Sequence, residues 1–310
     1  MLKYILRRLL IMITTLWIII TLTFILMISL PGSPFNSEAA SNETVQENMR
    51  KHYNLDKPPI IQYFYYLKSV VTLDFGPSIR KPAQSVNDLL GRGFPISFEL
   101  GMGTIIVAVI SGILLGIIAA LKHNGVIDYM AMTIAVLGIS IPNFILATLL
   151  IQQLAVNIEL FPVARWTSVK HMVLPIIALA TGPMAIIARL TRSTMLEVLT
   201  QDYIKMARAK GLSPWKVTFK HALKNALMPV VTIMGTLLAG VLTGSFVIEQ
   251  IFAIPGMGKY FVESISDRDY PVIMGTTVFY SAFLIISLFL VDIAYGILDP
   301  RIKTDKKGGQ

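Results

Sequence analysis

Six long apolar stretches constrain this chain more than any other feature of its sequence. A helix needs about 20 consecutive, mainly apolar residues to cross the hydrocarbon core of a membrane. The composition agrees, since 54% of the 310 residues are hydrophobic and only 15% are charged. We therefore predict an all-α integral membrane protein rather than a large soluble protein. The six predicted transmembrane helices lie at about residues 9–30, 98–121, 130–154, 173–194, 227–250 and 272–298.

The first apolar stretch follows three basic residues, Lys3, Arg7 and Arg8, an arrangement that also occurs in secretory signal peptides. Its apolar run is long for a signal peptide, and it lacks a clean cleavage site of small residues. We therefore expect a retained transmembrane helix. Cleavage after the 37–41 region stays open as the minor alternative.

Lysine and arginine are unevenly distributed among the predicted loops, and this bias indicates orientation because short basic loops stay in the cytoplasm. One side carries three before the first span, one in 122–129, eight in 189–226 and four after Asp299, whereas the other carries two in 155–172 and two in 251–271. Both termini and the 195–226 segment are thus predicted to be cytoplasmic. The net charge of +9 follows from this distribution and does not indicate nucleic-acid binding.

The sequence lacks the motifs of enzymes and metal sites. It contains no cysteine and no HExxH. The nearest approach to a phosphate-binding loop, residues 253–260, lacks the leading glycine and the serine or threonine after its lysine. All four histidines fall in predicted loops or at their edges. We therefore expect no catalytic residue, no metal site and no cofactor bound by this chain itself.

Charged side chains inside a membrane are costly, so each one indicates either pairing or function. Glu99 and Glu249 fall at the outer ends of predicted spans, and Asp292 falls about two turns from the inner end of the sixth. We expect Asp292 to form a structural ion pair with Arg189 or Arg192, at the inner end of the fourth span. A direct role of Asp292 in transport is the alternative.

The 195–226 segment contains a predicted corner between two helices. The first is predicted over residues 194–210 and ends at Gly211, because glycine adopts positive φ without a steric penalty. Ser213 is then the expected N-cap of the second helix, with Pro214 at its first position.

This second helix is predicted to be amphipathic and basic. Its lysines recur every four residues at Lys216, Lys220 and Lys224. A basic amphipathic helix can lie along anionic lipid, which makes membrane lipids one candidate partner. The corner favours docking into another protein, because a helix that only rests on lipid needs no such joint. The predicted apolar face consists of Trp215, Phe219, Ala222, Leu223 and Ala226.

The segments ARAKGLS and KHALKNALMP around this corner resemble the characteristic cytoplasmic loop of ABC-importer permeases. More narrowly, the chain is similar to the B-type permease subunit of oligopeptide and dipeptide importers, a family with very similar nickel-importing relatives. The resemblance covers nearly the whole chain, and the combination of segments is specific although each is weak alone. The other matching segments are KYILRRL near the N-terminus, LPGS from Leu30, PISFELG at 95–101, LGISIPNF at 137–144, ARLTRSTMLEVLTQDY at 188–203, IPGMG at 254–258, RDYP at 268–271 and LDPR at 298–301.

The resemblance implies six transmembrane helices with a type I ABC-importer permease (MetI-like) core and a large extracellular loop after the first helix, in the bacterial cell membrane. It also implies that the corner docks into a cytoplasmic ATPase subunit, whose closure drives the spans between inward- and outward-facing states. The implied partners are a homologous C-type permease, two ATPases that use ATP and Mg, and an extracellular substrate-binding protein. The implied coupling residues are Lys205, Ala207, Arg208, Lys210, Gly211, Leu212, Ser213, Pro214, Lys216 and His221.

The corner departs from the general importer pattern at three positions. The general loop begins with Glu where this chain has Lys205, and it carries Ile and Pro where this chain has His221 and Lys224. The B-type branch commonly has basic residues and His there, so we interpret the departures as features of that branch.

Two further regions are expected on the extracellular side. The 31–97 loop is too long for a simple connector, so a small helical element is expected after Pro59, on the face where the binding protein lands. A solvated cover over the helices is the alternative. Glu249, Pro255 and Gly256 resemble an external loop near the translocation mouth. The predicted division is a first span at 1–30, the external loop at 31–97, a five-helix core at 98–300 that includes the 195–226 coupling loop, and a cytoplasmic tail at 301–310.

The leading hypothesis is a noncatalytic permease subunit of an ATP-driven peptide importer. A nickel or nickel-chelate importer is the first alternative, although a metal path would be expected to show nitrogen or sulfur ligands in the spans. A secondary transporter working alone would need ionisable or ion-coordinating groups in the spans, and often internal repeats. A membrane enzyme would need a nucleophile and a base in a span. The predicted spans contain no histidine, almost no ionisable groups and no pair of a nucleophile and a base, and the sequence shows no internal repeat.

Overall fold

The computed structural model describes residues 2–29 and 43–298, and within these ranges the chain is built from helices. A π-helical stretch, Ile151–Asn157, continues α6, and another, Val217–Ala222, joins α9 to α10. The helices are α1 (Leu2–Ser29), α2 (Glu43–His52), α3 (Pro59–Thr72), α4 (Val86–Leu121), α5 (Val126–Ser140), α6 (Asn143–Leu150), α7 (Val169–Leu199), α8 (Asp202–Ala209), α9 (Pro214–Lys216), α10 (Leu223–Ala226), α11 (Met228–Gly244), α12 (Phe246–Ile251), α13 (Met257–Asp267) and α14 (Tyr270–Leu298).

Among the described residues, four helices are long and apolar enough to cross a membrane, namely α1, α4, α7 and α14. Two bent pairs pass the same test together. They are Val126–Ser140 with Asn143–Asn157, bent by 104°, and Pro214–Ala226 with Met228–Val241, bent by 52°. The predicted apolar segments are therefore helical, and the number of spans is four, or up to six if each bent pair crosses once.

Two elements differ from the predicted segments for local reasons. The helix α4 starts at Val86 rather than near residue 98, because Asp88 and Arg92 dilute the apolar signal without opposing a helix. The third segment is broken at Ile141 and Pro142, where Ile141 has extended dihedral angles (φ −87°, ψ 118°). Proline lacks an N–H and disfavours helical geometry in the residue before it, which accounts for the break.

Contacts divide the described chain into two compact units. The first contains the chain up to Ile96 together with Pro255–Leu290, so residues 255–290, assigned from the sequence to the core, belong to it. Within this unit α3, the helical element expected after Pro59, packs on α1. The buried Asp269 accepts hydrogen bonds from the Ser78 hydroxyl and from backbone N–H groups, and so ties loop 74–85 to the start of α14.

The second unit contains Ser97–Ile254 and is organised around α7, which contacts α5, α6, α10, α11 and α12. The part of α4 in this unit also lies very close to α7. A Cβ added at Gly116 would lie 2.6 Å from Thr191 Cβ and 2.7 Å from the Ala188 carbonyl oxygen. Small residues let helix backbones approach this closely in membranes, because no side chain separates them. The helix α7 is thus the element through which the rest of this unit is connected.

Candidate coupling site

The predicted coupling corner lies in the second unit and starts with a break at the end of α7. The sequence predicted one helix over 194–210, but α7 ends at Leu199 and α8 begins at Asp202. Gln201 between them has φ −66° and ψ 149°, which is an extended conformation. The corner therefore stands on a separate short helix rather than on an extension of α7.

Gly211 ends α8 in the predicted left-handed conformation, with φ 76°. Its N–H donates to the Arg208 carbonyl at 2.9 Å, and the Leu212 N–H donates to the Ala207 carbonyl at 3.4 Å. These two bonds form a Schellman motif, which satisfies carbonyls that the helix end would leave unpaired. A Cβ at Gly211 would meet no atom within 4 Å, so the positive φ, and not a lack of space, favours glycine there.

Ser213 and Pro214 start the second helix of the corner as predicted. The Ser213 hydroxyl accepts a hydrogen bond from the Lys216 N–H at 3.4 Å, and Pro214 occupies the first helical turn. Serine at this position satisfies one of the free N–H groups of the helix start, and proline lacks the N–H that would be unpaired. The corner is therefore shaped by four consecutive residues, 211–214.

One face of the corner is buried and attaches it to α7. Its small and aliphatic side chains form a cluster around Met195, which is fully buried. The Thr194 hydroxyl adds a hydrogen bond of 2.7 Å to the Ala226 carbonyl, at the end of α10. The corner is therefore attached to α7 by buried packing and by a hydrogen bond. The other buried members of the cluster are Ala120, Ile204, Ala207, Val217, Ala222 and Ala226.

The opposite face is exposed and combines an aromatic pair with positive charge. Trp215 belongs to the predicted apolar face, and its side chain is 69% exposed, with its ring centre 3.8 Å from that of Phe219. The π-helical stretch shifts the register, so Val217 and Thr218 are buried instead. Lys205 forms an exposed ion pair with Asp202 at 2.9 Å, and His221 is half-buried. The other exposed basic residues of the predicted site are Arg208, Lys210 and Lys216.

Arg192, on α7 above the corner, has a partner that the sequence did not indicate. Its Nε donates to Asp128 Oδ1 at 2.6 Å and its Nη2 to Asp128 Oδ2 at 2.7 Å. The predicted partner was Asp292, whose side chain lies outside the described residues. Arg189 is exposed, and its predicted pairing with Asp292 stays a prediction. Asp128 could have been noticed as an acid in the first turn of α5, but nothing in the sequence connects it to residue 192.

Glu249, predicted near a translocation mouth, is completely buried in α12. The Ser97 and Ser245 hydroxyls both donate to its Oε1, at 2.8 and 2.6 Å, and neither serine was singled out in the sequence. Pro255 and Gly256 belong to the other unit, where Pro255 is exposed and Gly256 precedes α13. The assignment of these three residues to a mouth stays a prediction.

The sequence matches two family descriptions that together span almost its whole length. Residues 112–304 match "Binding-protein-dependent transport system inner membrane component", and residues 1–98 match the N-terminal region of such a membrane component. The chain therefore belongs to the family of binding-protein-dependent transport system inner membrane components, and it is a multi-pass membrane permease.

The names of individual relatives indicate a narrower class within this family, the peptide permeases. The chain is 70% identical over 308 residues to the dipeptide transport system permease protein DppB of Bacillus subtilis, covering 99% of this chain and 100% of the relative. It is 43% identical over 305 residues to the oligopeptide transport system permease protein OppB of Salmonella typhimurium, covering 98% and 100%. These similarities confirm the resemblance to the peptide-importer permeases.

Solved structures confirm the predicted fold. The inward-facing MetNI methionine ABC transporter aligns with a TM-score of 0.54 and 22% identity, over 68% of this chain and 94% of that chain. An amino acid ABC transporter aligns with a TM-score of 0.52 and 14% identity, over 67% and 92%. The chain thus has the MetI-like permease fold.

Proposed function

We propose that this chain is the transmembrane permease subunit of an ATP-driven ABC importer and that, with a second, homologous permease, it forms the translocation path for dipeptides or oligopeptides. The names of its relatives, which cover nearly its entire length, support peptides over nickel as the substrate. The family description, which names a binding protein, favours a multi-subunit importer over a secondary transporter that works alone.

The observation that carries this proposal is the two-sided coupling corner. Its buried side is joined to α7, and its exposed side presents the Trp215 ring among basic side chains. Large aromatic side chains often contribute most of the energy of an interface, and basic groups favour a partner of opposite charge. A groove of a cytoplasmic ATPase with an apolar pocket and acidic rim would fit this surface.

In the proposed mechanism the chain performs no chemistry. It passes the displacement caused by closure of the ATPases on to its transmembrane helices. ATP and Mg are used by two partner ATPases, and neither is proposed to bind here. When the ATPases close, they displace the corner, and its buried contacts to Met195 and Thr194 displace α7 with it. Because most of the second unit packs on α7, this movement would change the accessibility of the path.

The proposed orientation places both termini and the corner in the cytoplasm of a bacterial cell. The distribution of basic residues supports it. Eight lie in 189–226 and four after Asp299, whereas the opposite side has only two in 155–172 and two in 251–271. An extracellular binding protein would then deliver the peptide to the opposite side, near the external loop 31–97.

Affinity purification from the native membrane in mild detergent tests the assembly. We expect a second permease and two P-loop ATPases in stoichiometric amounts, and uptake of a labelled dipeptide by the reconstituted complex only with ATP and the binding protein. Recovery of this chain alone under several gentle conditions would contradict the proposal and favour a carrier that works alone.

A Gly211→Pro variant tests the role of the corner. Proline cannot adopt φ 76° and lacks the N–H that bonds to Arg208, so the corner must change shape. We expect ATP hydrolysis to continue while dipeptide uptake is lost. Gly76→Pro is the matched control for strain, because Gly76 has φ 75°, open space for a Cβ and a similarly bonded N–H. Normal uptake by Gly211→Pro would count heavily against a coupling role.

A further inference from the structure

The ion pair between Arg192 and Asp128 is built with more contacts than a surface pair. The Asp128 side chain is 2% exposed and that of Arg192 is 25% exposed. The two side chains meet through two parallel hydrogen bonds, the geometry in which Arg and a carboxylate bind most firmly. The Asn124 N–H also donates to Oδ2 at 3.0 Å, and His123 Nδ1 lies 3.2 Å from Arg192 Nη2.

This pair lies on the same turn of α7 that holds the coupling corner. Thr194, two residues after Arg192, bonds to the end of α10, and Met195 is packed among the buried residues of the corner. Arg192 points to a different neighbour, the first turn of α5. Residues 192–195 of α7 therefore bind the corner on one side and α5 on another.

Small residues bring α5 and α7 close together at two places. Ala135 of α5 packs with Ala185 and Ala188 of α7, with the half-buried Met132 of α5 against them. Farther along, a Cβ at Gly138 would lie 3.0 Å from the Thr181 carbonyl oxygen. Small residues permit close approach, but they interlock less than large side chains do and so resist sliding of one helix along the other less strongly. Within the described part of the chain, Arg192 and Asp128 form the only ion pair between these two helices.

The helix α5 leads into the most strongly bent element of the second unit. At Ile141 and Pro142 the chain turns by 104° into α6, which packs on α7 and on α12. Hence α5 and α6 together reach from the turn beside the coupling corner to the helix that carries Glu249. Movement of α5 relative to α7 would therefore displace both the turn beside the coupling corner and the contact of α6 with α12.

We propose that Asp128 and Arg192 are a positioning pair that fixes α5 to α7 in one axial register, so that displacement of the coupling corner moves the bent α5–α6 element together with α7. This role rests on the proposed coupling function. Buried ion pairs often add little net stability, so stability alone does not explain this one. Their best-attested use is to fix the register of neighbouring elements. In this role the pair contacts neither substrate nor ATPase, and it acts by keeping the axial register between α5 and α7 constant.

The decisive variant is the double substitution Asp128→Asn with Arg192→Met. Asn retains an acceptor for the Asn124 N–H, Met retains the aliphatic length of Arg, and no unpaired charge is left behind. In the reconstituted complex we expect assembly and ATP hydrolysis to persist, while dipeptide transported per ATP falls by about 3- to 30-fold. Arg192→Lys, which keeps the charge but not the two-point geometry, is expected to retain more coupling than the double variant.

Lys122→Gln is the control for loss of a basic group in this region. Lys122 is exposed in the loop before α5, outside the pair, and its replacement removes one positive charge without touching Asp128 or Arg192. We expect the wild-type ratio of transport to ATP hydrolysis in this variant. An equal loss of that ratio in Lys122→Gln and in the double variant would overturn the positioning role, because loss of a basic group outside the pair would then have the same effect as loss of the pair.

A distance measurement tests the register independently of any substrate. The chain has no cysteine, so spin labels at Met130→Cys on α5 and Glu197→Cys on α7, both exposed, are the only labelled positions in this chain, which is labelled before the complex is assembled. We expect one narrow distance distribution with Asp128 and Arg192 present, with or without nucleotide, and a broadened or shifted one in the double variant.

Two outcomes would overturn the proposal. The first is an unchanged distance distribution in the double variant, even if the complex transports no peptide. A broadened distribution with normal transport per ATP would also overturn it, because register would then not matter for coupling.

Discussion

The second unit buries two carboxylates, Asp128 in α5 and Glu249 in α12, and it holds them in different ways. Asp128 is bound by the guanidinium of Arg192, a cation. Glu249 accepts hydrogen bonds on Oε1 from the hydroxyls of Ser97 and Ser245, which are neutral groups. A two-point bond between a guanidinium and a carboxylate, in which both partners are charged, is stronger and more directional than a single bond from a hydroxyl to one carboxylate oxygen. The bond between Arg192 and Asp128 should therefore be harder to break than the bond between Ser97 and Glu249.

This difference suits an importer of the proposed kind. A helix pair that must move together needs a contact that survives the movement, and a buried ion pair separates only at high cost. A contact that must open in each cycle is better made by hydroxyl groups, which can exchange a carboxylate for water at lower cost. Under the proposed function, the Asp128 contact would persist through the cycle and the bond between Ser97 and Glu249 would be the more easily broken one.

The largest effect is expected for Asp128→Ala. It leaves the Arg192 guanidinium without its carboxylate in a mostly buried place, which costs about 3 kcal/mol because removal of one partner leaves an uncompensated charge. We expect a clearly lower melting temperature of the purified protein. Adding Arg192→Met to Asp128→Ala should recover part of the loss, and no recovery would show that the charge is not the cause.

A smaller effect is expected for Glu249→Gln. The amide keeps an oxygen that Ser97 and Ser245 can donate to, but these bonds are no longer to a charged acceptor, so about 1 kcal/mol is lost. Thermal unfolding of the variant should therefore shift less than that of Asp128→Ala. An equal or larger shift in Glu249→Gln would contradict the proposed difference between the two sites.

The local parts of the coupling corner could be predicted because they depend on neighbouring residues. Gly211, Ser213 and Pro214 each favour one backbone geometry, and the structure contains that geometry. The orientation of Trp215 could not be predicted in this way, because the π-helical stretch after it breaks the usual helical spacing. A period of 3.6 residues groups Trp215 with Ala222 and Ala226, which are buried, whereas the indole is exposed.

The two buried carboxylate sites depend on the fold and left no local signal. Arg192 and Asp128 are 64 residues apart, and Ser97 and Glu249 are 152 apart. Hydropathy indicated the helices that carry them but not which faces meet, since an apolar helix in a membrane is apolar on all sides. Asp128 lies on α5, which packs on α7, and the sequence alone does not indicate that contact. The pairing with Asp292 stays a prediction.

Ser97→Ala is expected to have the smallest effect and to define the weaker site most sharply. It removes the Ser97 hydroxyl as a donor to Glu249 and leaves the Ser245 bond of 2.6 Å in place, so the cost is about 0.5 kcal/mol. Ser111→Ala on the same helix is the matched control, because its hydroxyl bonds to the Val107 carbonyl of its own helix. We expect Ser111→Ala to leave the melting temperature nearly unchanged and Ser97→Ala to lower it slightly.

The Ser97 hydroxyl joins α4 to α12, so Ser97→Ala should also make that contact open more readily. Hydrogen exchange of the backbone at 245–252 should then be faster than in the wild type. Exchange at the start of α5 should stay at the wild-type rate, and acceleration at both places would mean that the two sites are not independent.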